Sequence, residues 1–369
     1  MFEKIYKGLN VLVTGHTGFK GSWLTVWLNK LGANVIGYSA YLPSVPCNFE
    51  VTSLEKKITH IEGDVRDYRY LEKVIKETKP EIIFHLAAQP IVRKSYEDPK
   101  LTLDTNIGGT VNILECIRTS DSVNAGVIIT SDKCYRNVEW VWGYRENDPL
   151  GGDDPYSASK GAAELVINSY AKCFFSETGT VRIASARAGN VIGGGDWAAD
   201  RIVPDCVRAF STGKQLEIRN PYATRPWQHV LEPLSGYLLL GANLLKYNPN
   251  STSGAFNFGP LSDVNRTVGD LIKEFSISWG SGKWCVLSDV GEEKKESTLL
   301  KLNCDKAQSV LNWTAALKFD KTIKMTADWY KAYFGRDKNM YDFSLKQIEE
   351  YTTLASKRGI NWARGDDND

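Results

Sequence analysis

Apolar runs alternate with helix-periodic segments along the first 190 residues of the chain. The runs are short and almost continuously apolar, as in strands buried on both faces, and they occupy residues 10–13, 35–38, 81–87, 126–130 and 181–187. The segments between them place apolar side chains on one helix face, as Leu24, Trp27 and Leu28 do after the first run. Further segments of this kind surround residues 71–75 and cover residues 157–175. The alternation predicts an α/β fold in which a Rossmann-like, doubly wound parallel sheet has helices on both faces.

The pattern changes after residue 189. Three glycines at 193–195 interrupt the alternation, and shorter segments are separated by prolines, namely Pro204, Pro221, Pro226 and Pro233. At about 150 residues per domain, a chain of 369 residues has room for two. We therefore predict a Rossmann domain over 1–189 and a smaller, mixed α/β C-terminal substrate domain over 190–369, with some segments returning to the sheet. The polar final stretch, 336–369, predicts a loosely held tail.

Charge and cysteine content exclude several classes of protein. Lys and Arg number 45 against 44 for Asp and Glu, a net charge of +1, whereas nucleic-acid binding depends on an excess of cations to neutralise phosphates. The seven cysteines are scattered without a CxxC pair, which predicts reduced thiols, a cytoplasmic protein and no metal site. The chain shows no signal-peptide pattern at its start, and its apolar runs are shorter than the roughly 18 residues that span a bilayer. We expect neither nucleic acid nor membrane as a partner.

A glycine-rich segment stands between the first predicted strand and the first predicted helix. Its three glycines have GxxGxxG spacing, which allows a tight turn and lets the backbone approach a pyrophosphate. The N-terminus of the helix that follows favours an anion. The segment therefore predicts a dinucleotide site with the contacts Gly15, Thr17, Gly18, Phe19 and Gly21.

The adenosine end of this dinucleotide site is less well defined by the sequence. Asp64 and Val65, after the third predicted strand, are candidate adenine contacts. The second strand usually ends in an acidic residue that binds the ribose, but here it ends in Gly37-Tyr38-Ser39. This stretch alone leaves the choice between NAD and NADP open.

A YxxxK motif begins the predicted helix at 157–175. Tyr156 and Lys160 are four residues apart and share a helix face. A free tyrosine titrates near 10. The Lys160 ammonium, with a nicotinamide cation above it, would favour the phenolate and is expected to lower the Tyr156 pKa. Ser131 follows a buried strand at the sheet edge where ligands bind in such folds, and its hydroxyl could hold the same substrate oxygen.

In these motifs and their order, the chain resembles the extended short-chain dehydrogenases/reductases over roughly residues 8–335. Within that family it is most similar to the nucleotide-sugar 4,6-dehydratases, in particular those that act on CDP-glucose. The strings that support this similarity are GHTGFKGSWL (15–24), TSDKCYRN (130–137), WVWGYRENDPLGGDDPYSASK (140–160), GNVIGGGDW (189–197) and ATRPWQHV (223–230).

The resemblance implies the fold above, an NAD-binding domain over 1–189 and a CDP-glucose substrate. The NAD preference follows because dehydration returns the cofactor to its starting state. Further cofactor contacts are implied at Leu86, Ala87, Ala88, Asn106, Tyr156 and Lys160. The substrate's diphosphate needs arginines or amides, and the candidate substrate contacts are Gln89, Arg187, Asn190, Arg201, Arg219 and Arg225. A homo-oligomer (dimer or tetramer) and a role in dideoxyhexose synthesis for O-antigen lipopolysaccharide are also implied.

One departure from related dehydratases concerns the elimination step. Enzymes acting on dTDP-glucose or GDP-mannose have Thr-Asp-Glu where this chain has Ser131-Asp132-Lys133. By resemblance, Asp132 is the acid for the departing hydroxyl, and Lys133 replaces the glutamate that removes the C5 proton. A lysine base must be neutral, which requires a lowered pKa. The alternative is that Lys133 pairs with Asp132 and another group, such as Tyr156, moves this proton.

Three other functions fit parts of the motif set. A dehydratase for another nucleotide sugar would share every motif, and a 4-epimerase needs the tyrosine, the lysine and NAD but not Asp132 or Lys133. A non-catalytic NAD-sensing protein would have lost Ser131, Tyr156 or Lys160, all of which are present. The predicted catalytic set is therefore Ser131, Asp132, Lys133, Tyr156 and Lys160.

Overall fold

The computed structural model describes residues 1–175, 181–199, 201–246, 254–261, 266–286, 300–335 and 339–364. Its strands are β1 (Asn10–Thr14), β2 (Asn34–Ser39), β3 (Thr59–Glu62), β4 (Ile82–His85), β5 (Ala125–Ile129), β6 (Arg182–Arg187), β7 (Val191–Ile192), β8 (Leu216–Ile218), β9 (Thr224–Arg225), β10 (Gln228–His229), β11 (Gly254–Asn257), β12 (Arg266–Thr267) and β13 (Trp284–Val286). Its helices are α1 (Phe19–Lys30), α2 (Asn48–Val51), α3 (Tyr68–Thr78), α4 (Val92–Glu97), α5 (Pro99–Leu103), α6 (Gly109–Thr119), α7 (Pro155–Cys173), α8 (Ile202–Ser211), α9 (Leu231–Leu245), α10 (Val268–Trp279), α11 (Asp305–Leu311), α12 (Phe319–Phe334) and α13 (Met340–Lys357).

A seven-stranded sheet forms the centre of the molecule. Its order is β11-β6-β5-β4-β1-β2-β3, and every neighbouring pair is parallel. The chain leaves β1 toward β2 on one side and returns to β4 on the other, so the strand order reverses between β1 and β4. Ligands bind outside the carboxyl ends of the strands at such a reversal. The predicted doubly wound α/β fold is confirmed.

Alternate residues of the strands face two separate helix layers. In β1, Val11 and Val13 join the core beneath α1, α9, α12 and α13, whereas Leu12 joins the core beneath α3, α6 and α7. Because strands buried on both faces cannot alternate apolar with polar residues, their sequences are almost continuously apolar. None of the described helices is long and apolar enough to cross a membrane.

The chain beyond residue 189 does not stay apart from the sheet. β11 extends it by pairing with β6, while β7, β8 and β9 form two-stranded sheets with β10, β13 and β12. The core of the first layer contains residues of α9 and α12 as well as residues of α1. The boundary at 189/190 stays a prediction.

The prediction of a loosely held tail over 336–369 is wrong for its described part, 339–364. α13 packs against α1 and α12 and buries Ile348 and Tyr351 completely. Beyond α13, the Trp362 ring stacks on the rings of Phe2 and Tyr351, at centroid distances of 5.0 and 5.7 Å. The segment looks polar because only one stripe of the helix is buried.

A buried carboxylate joins this C-terminal helix to the rest of the molecule. Glu232, on α9, accepts hydrogen bonds from the Ala316 and Leu317 amides, at 2.9 and 2.6 Å, and from the Tyr351 hydroxyl, at 2.7 Å. Burial raises the pKa of Glu232 to about 7, although these hydrogen bonds and the charge of Arg358 oppose the rise. The folded protein therefore holds this proton more tightly than the unfolded chain does.

Glu232→Gln should change how stability depends on pH. A raised carboxyl pKa contributes stability that is complete below the unfolded value, near 4.5, and is lost as pH rises through about 7. Wild type should lose on the order of 3 kcal/mol over this window from this group, and the neutral glutamine should not. Thermal midpoints at pH 5 and pH 8 measure the difference. Glu350→Gln, at an exposed site on α13, is the control; equal pH dependence in all three proteins would contradict the assignment.

Candidate active site

The glycine-rich turn packs directly on the ends of two strands. Gly15 has φ of +71°, and a Cβ there would lie 2.7 Å from the Ala87 amide nitrogen after β4. A Cβ on Gly21 would lie 2.1 Å from the Gly15 carbonyl oxygen. The Thr17 hydroxyl bonds the Ser39 hydroxyl and donates to the Tyr41 carbonyl, both at 2.7 Å, which joins the turn to the end of β2.

This turn leaves the N-terminus of α1 available to an anion. Gly18 is the N-cap residue, and no side chain in the described part of the molecule caps the helix there. The first amides of α1 therefore lack a protein acceptor and fit a pyrophosphate group. Phe19, the first residue of α1, is half-buried and lies near Gly193.

The predicted adenine contacts lie just after β3, the strand next to β2 in the sheet. The Asp64 carboxylate is held by the Arg66 guanidinium through both oxygens, with Nε–O distances of 3.1 and 3.0 Å. Val65 is buried against Gly109 at the start of α6. An open groove of about 600 Å³ is lined by Asp64, Arg66, Asp67, Asp104, Gly108 and Asn112.

The segment after β4 connects the cleft to α7. Leu86, Ala87 and Ala88 are partly exposed there, as cofactor contacts would be. The Asn106 side chain accepts from the Gln89 amide at 2.8 Å and donates to the Ser159 hydroxyl at 2.9 Å, between Tyr156 and Lys160. The Gln89 side chain bonds Thr102 Oγ1 and the Ile91 amide, so its polar atoms are occupied within the protein.

Ser131, Asp132 and Lys133 lie where β5 ends. Ser131 Oγ accepts from the Lys133 amide at 3.2 Å and donates to Asp132 Oδ1 at 2.9 Å, which starts a short 3₁₀ helix. The Asp132 carboxylate is buried against the backbone of Gly189. Lys133 is half-buried, and within the described ranges its ammonium forms no ion pair with Asp132.

Tyr156 and Lys160 face this cluster from the first turns of α7, whose N-terminus is capped by Asp154. Both side chains are buried, with 7 and 5% of their surfaces exposed. Burial raises the pKa of Tyr156 to about 12, while a hydrogen bond with Ser131 lowers it, as does the charge of Arg201. Burial lowers the pKa of Lys160 to about 8, and the carboxylate of Glu164 opposes this shift.

The prediction that Lys160 and the nicotinamide cation together lower the Tyr156 pKa stays a prediction, and the protein groups by themselves hold this pKa high. Removal of the phenol from water outweighs the nearby charges, and the cation that acts on Tyr156 is Arg201. Arg201 is fixed by Asp196, with Nη1 2.7 Å from Oδ2. Lowering the Tyr156 pKa therefore requires a further positive charge, such as that of the oxidised nicotinamide ring.

Of the other predicted substrate contacts, Arg187 lies deepest in the protein. It has 3% of its surface exposed, and its guanidinium bonds Glu164 and the Tyr135 hydroxyl. Arg225 lies in β9 and donates to the Thr224 carbonyl, whereas Arg219 is exposed just after β8. The backbone carbonyl of Asn190 accepts from the Gln228 amide at 3.2 Å, beside the predicted domain boundary. Their substrate contacts stay predictions.

Sequence analysis missed two charged groups beside the predicted catalytic residues. Lys20, on the first turn of α1, lies within electrostatic range of Asp132, Arg201 and Lys160, and burial lowers its pKa to about 8. Glu164 is buried one turn beyond Lys160. The four-residue step from Lys160 to Glu164 is visible in the sequence, but the side of α1 that faces the strand ends depends on how the helix packs.

Comparison with known proteins agrees with this geometry. A family model described as GDP-mannose 4,6 dehydratase matches residues 12–326. CDP-glucose 4,6-dehydratase of Salmonella typhimurium is 46% identical over 360 residues, which cover 96% of this chain and 99% of the relative. dTDP-glucose 4,6-dehydratase of Streptomyces antibioticus is 26% identical, over 88% of this chain and 92% of that relative.

Solved structures show the same fold. An epimerase from Methanothermobacter thermautotrophicus superposes with a TM-score of 0.77 at 24% identity, over 90% of this chain and 95% of that one. dTDP-glucose 4,6-dehydratase from Bacillus anthracis, solved in complex with NAD, gives a TM-score of 0.73 at 22% identity, over 88% of this chain and 97% of that one. The resemblance stated from the sequence motifs is confirmed. The chain belongs to the GDP-mannose 4,6 dehydratase family, within the extended short-chain dehydrogenases/reductases.

Proposed function

We propose that this chain is an NAD-dependent lyase that converts CDP-glucose to CDP-4-keto-6-deoxyglucose and water. The observation that carries the proposal is the meeting of Ser131 and Asp132 with Tyr156 at the carboxyl edge of the sheet. Near-full-length similarity to the Salmonella CDP-glucose 4,6-dehydratase supports the nucleotide and the reaction. An oxidation site alone would not need the buried carboxyl group of Asp132.

The cleft suits NAD at both of its ends. The open amides at the start of α1 would hold the pyrophosphate, and the groove lined by Asp64 and Arg66 would hold the adenosine. The chemistry that NAD would supply when bound is reversible hydride transfer, with oxidation at C4 and reduction at C6. Lys160 lies one turn from Tyr156 on α7, and its ammonium would bind the nicotinamide ribose.

The buried side chains would divide the proton transfers between them. Tyr156, as phenolate, takes the proton of the 4-hydroxyl group, and the Ser131 hydroxyl holds the same oxygen. The resulting ketone acidifies C5–H, and neutral Lys133 removes that proton. Protonated Asp132 then gives its proton to the 6-hydroxyl group, which leaves as water. Hydride return to C6, with the proton on Lys133 going back to C5, would complete the product. Separate residues for oxidation and elimination allow the two steps to be tested independently.

Cationic side chains on the substrate side would hold the diphosphate. Arg201 is already fixed by Asp196 and faces Tyr156, so it can bind a phosphate oxygen without first ordering its side chain. Arg219 and Arg225 stay candidates for the nucleotide end. We expect a cytoplasmic homo-oligomer that acts in dideoxyhexose synthesis for O-antigen lipopolysaccharide.

Turnover of several nucleotide sugars side by side tests the proposal. The purified chain, with NAD added, should remove one water from CDP-glucose, as measured by mass spectrometry of the product. dTDP-glucose, UDP-glucose and GDP-mannose, tested in parallel, should react far more slowly. A product of unchanged mass with an inverted C4 would identify a 4-epimerase instead, and preference for another nucleotide would reject the CDP assignment.

A further inference from the structure

The lysine of the YxxxK motif lies one helical turn from a buried carboxylate. Lys160 and Glu164 are four residues apart on α7, and they have 5 and 3% of their surfaces exposed. Side chains at this spacing share a helix face. The carboxylate is shielded from water on the same helix face as Lys160, where a charge acts more strongly than at a surface, although its direct ion pair is with Arg187.

Three donors fix the Glu164 carboxylate. Oε2 accepts from Arg187 Nη2 at 2.7 Å and from the Ser185 hydroxyl at 2.8 Å, both on β6. Oε1 accepts from the Thr130 hydroxyl at the end of β5. Hydrogen bonds from a guanidinium and two hydroxyls stabilise the anion and prevent its reorientation.

Arg187 is in turn held on its far side. Its Nη1 donates to the Tyr135 hydroxyl at 2.6 Å and to the Glu146 carbonyl at 3.1 Å. Its guanidinium carbon lies 4.8 Å from the centre of the Tyr135 ring. The arginine therefore faces Glu164 and the protein interior, and these contacts give it a structural task apart from substrate binding.

Three other groups near Lys160, on three different elements, supply no negative charge. The Cys134 thiol, from the 3₁₀ helix after β5, has its pKa raised well above the ordinary value by burial and is neutral. His85, at the end of β4, is also neutral because burial lowers its pKa to about 3. Lys20, from α1, adds a positive charge. The Asp132 carboxylate belongs to the cluster that Lys160 faces, but the carboxylate whose charge acts on Lys160 is that of Glu164.

We propose that Glu164 is a positioning residue whose carboxylate, fixed by Arg187, keeps the Lys160 side chain in its ammonium form. Burial favours loss of the Lys160 proton, and Glu164 opposes it. The inference rests on the proposed function in that Lys160 is taken as the partner of Tyr156.

Glu164→Gln should shift the titration of Lys160 itself. The reactivity of each lysine toward reductive methylation can be followed by peptide mass spectrometry from pH 6 to pH 10, on enzyme as purified. Wild-type Lys160 should become half-reactive near pH 8. In Glu164→Gln this midpoint should fall by roughly 1 unit or more, as expected for loss of a nearby opposite charge.

The pH profile of turnover gives a second readout. The alkaline limb of kcat/KM for CDP-glucose should move to lower pH in Glu164→Gln by the same amount as the labelling midpoint. Glu164→Asp, which retains the charge, should keep both values close to wild type. Glu146→Gln removes a carboxylate on the other side of Arg187 and should shift neither, so it controls for general loss of stability.

Removal of Glu164 alone leaves the buried Arg187 charge unpaired, which could prevent folding. The double variant Glu164→Gln/Arg187→Met leaves neither charge buried alone and should shift Lys160 in the same direction. An unchanged Lys160 midpoint in either folded variant would overturn the inference. The labelling needs no substrate. If wild type failed to dehydrate CDP-glucose, the proposed function would be rejected, but the labelling midpoints would still test the role of Glu164.

Discussion

Tyr156→Phe should lower CDP-glucose turnover by roughly 10²–10⁴-fold, the range typical for loss of a general base. The variant keeps the ring and loses the hydroxyl that accepts the 4-hydroxyl proton, so C4 is not oxidised and no later step can begin. The rate of water loss, followed by mass spectrometry at saturating NAD, measures the effect. Thermal stability should change little, because phenylalanine keeps the buried ring and only the hydroxyl group is lost.

Tyr170→Phe is the matched control for this variant. Tyr170 also lies on α7, and its hydroxyl donates to Glu115 Oε1 at 2.7 Å, away from the cluster around Ser131. The Tyr170→Phe variant should turn over CDP-glucose at nearly the wild-type rate. If Tyr156→Phe kept a rate close to that of the control, Tyr156 would have no part in the proton transfer.

Asp132→Asn and Lys133→Met should separate oxidation from elimination. Neither side chain is needed to oxidise C4, so both variants should still form the 4-keto-glucose nucleotide while water loss slows by roughly 10²-fold or more. In deuterated solvent, Asp132→Asn should still exchange the C5 proton, because its base is intact, and recovered CDP-glucose should contain deuterium at C5. Lys133→Met should not exchange it. Mass spectrometry of the recovered substrate distinguishes the two.

Two controls limit the interpretation of this exchange. Arg136→Met removes an exposed cation from the same segment. This variant should exchange the C5 proton and dehydrate CDP-glucose as wild type does. Tyr156→Phe should show no exchange, because without the ketone C5–H is not acidic. Exchange at the wild-type rate in Lys133→Met would mean that another group is the base. Among the described residues, Lys133 and Asp132 form no ion pair. This favours Lys133 as the C5 base over Lys133 as a mere ion-pair partner of Asp132.

Much of the fold could be predicted because its signals are local. Strands buried on both faces are continuously apolar, so β1, β4 and β5 stand out in the sequence. The order of glycines, Ser131, Tyr156 and Lys160 along the chain indicates the site, because carboxyl ends of parallel strands meet at one edge of the sheet. The family resemblance supplied the nucleotide-sugar chemistry, which these local signals do not specify.

The sequence by itself determined the α/β class, the dinucleotide turn and the residues that could transfer protons. Only the tertiary structure decided what surrounds those residues. α13 is docked rather than loose, because α1 and α12 offer a surface for its apolar stripe, and Arg187 faces Glu164 because β6 and α7 pack together. The pKa of Tyr156 rises because burial of the phenol outweighs the nearby charges. Burial and charge proximity depend on contacts between distant segments, and no local pattern encodes them.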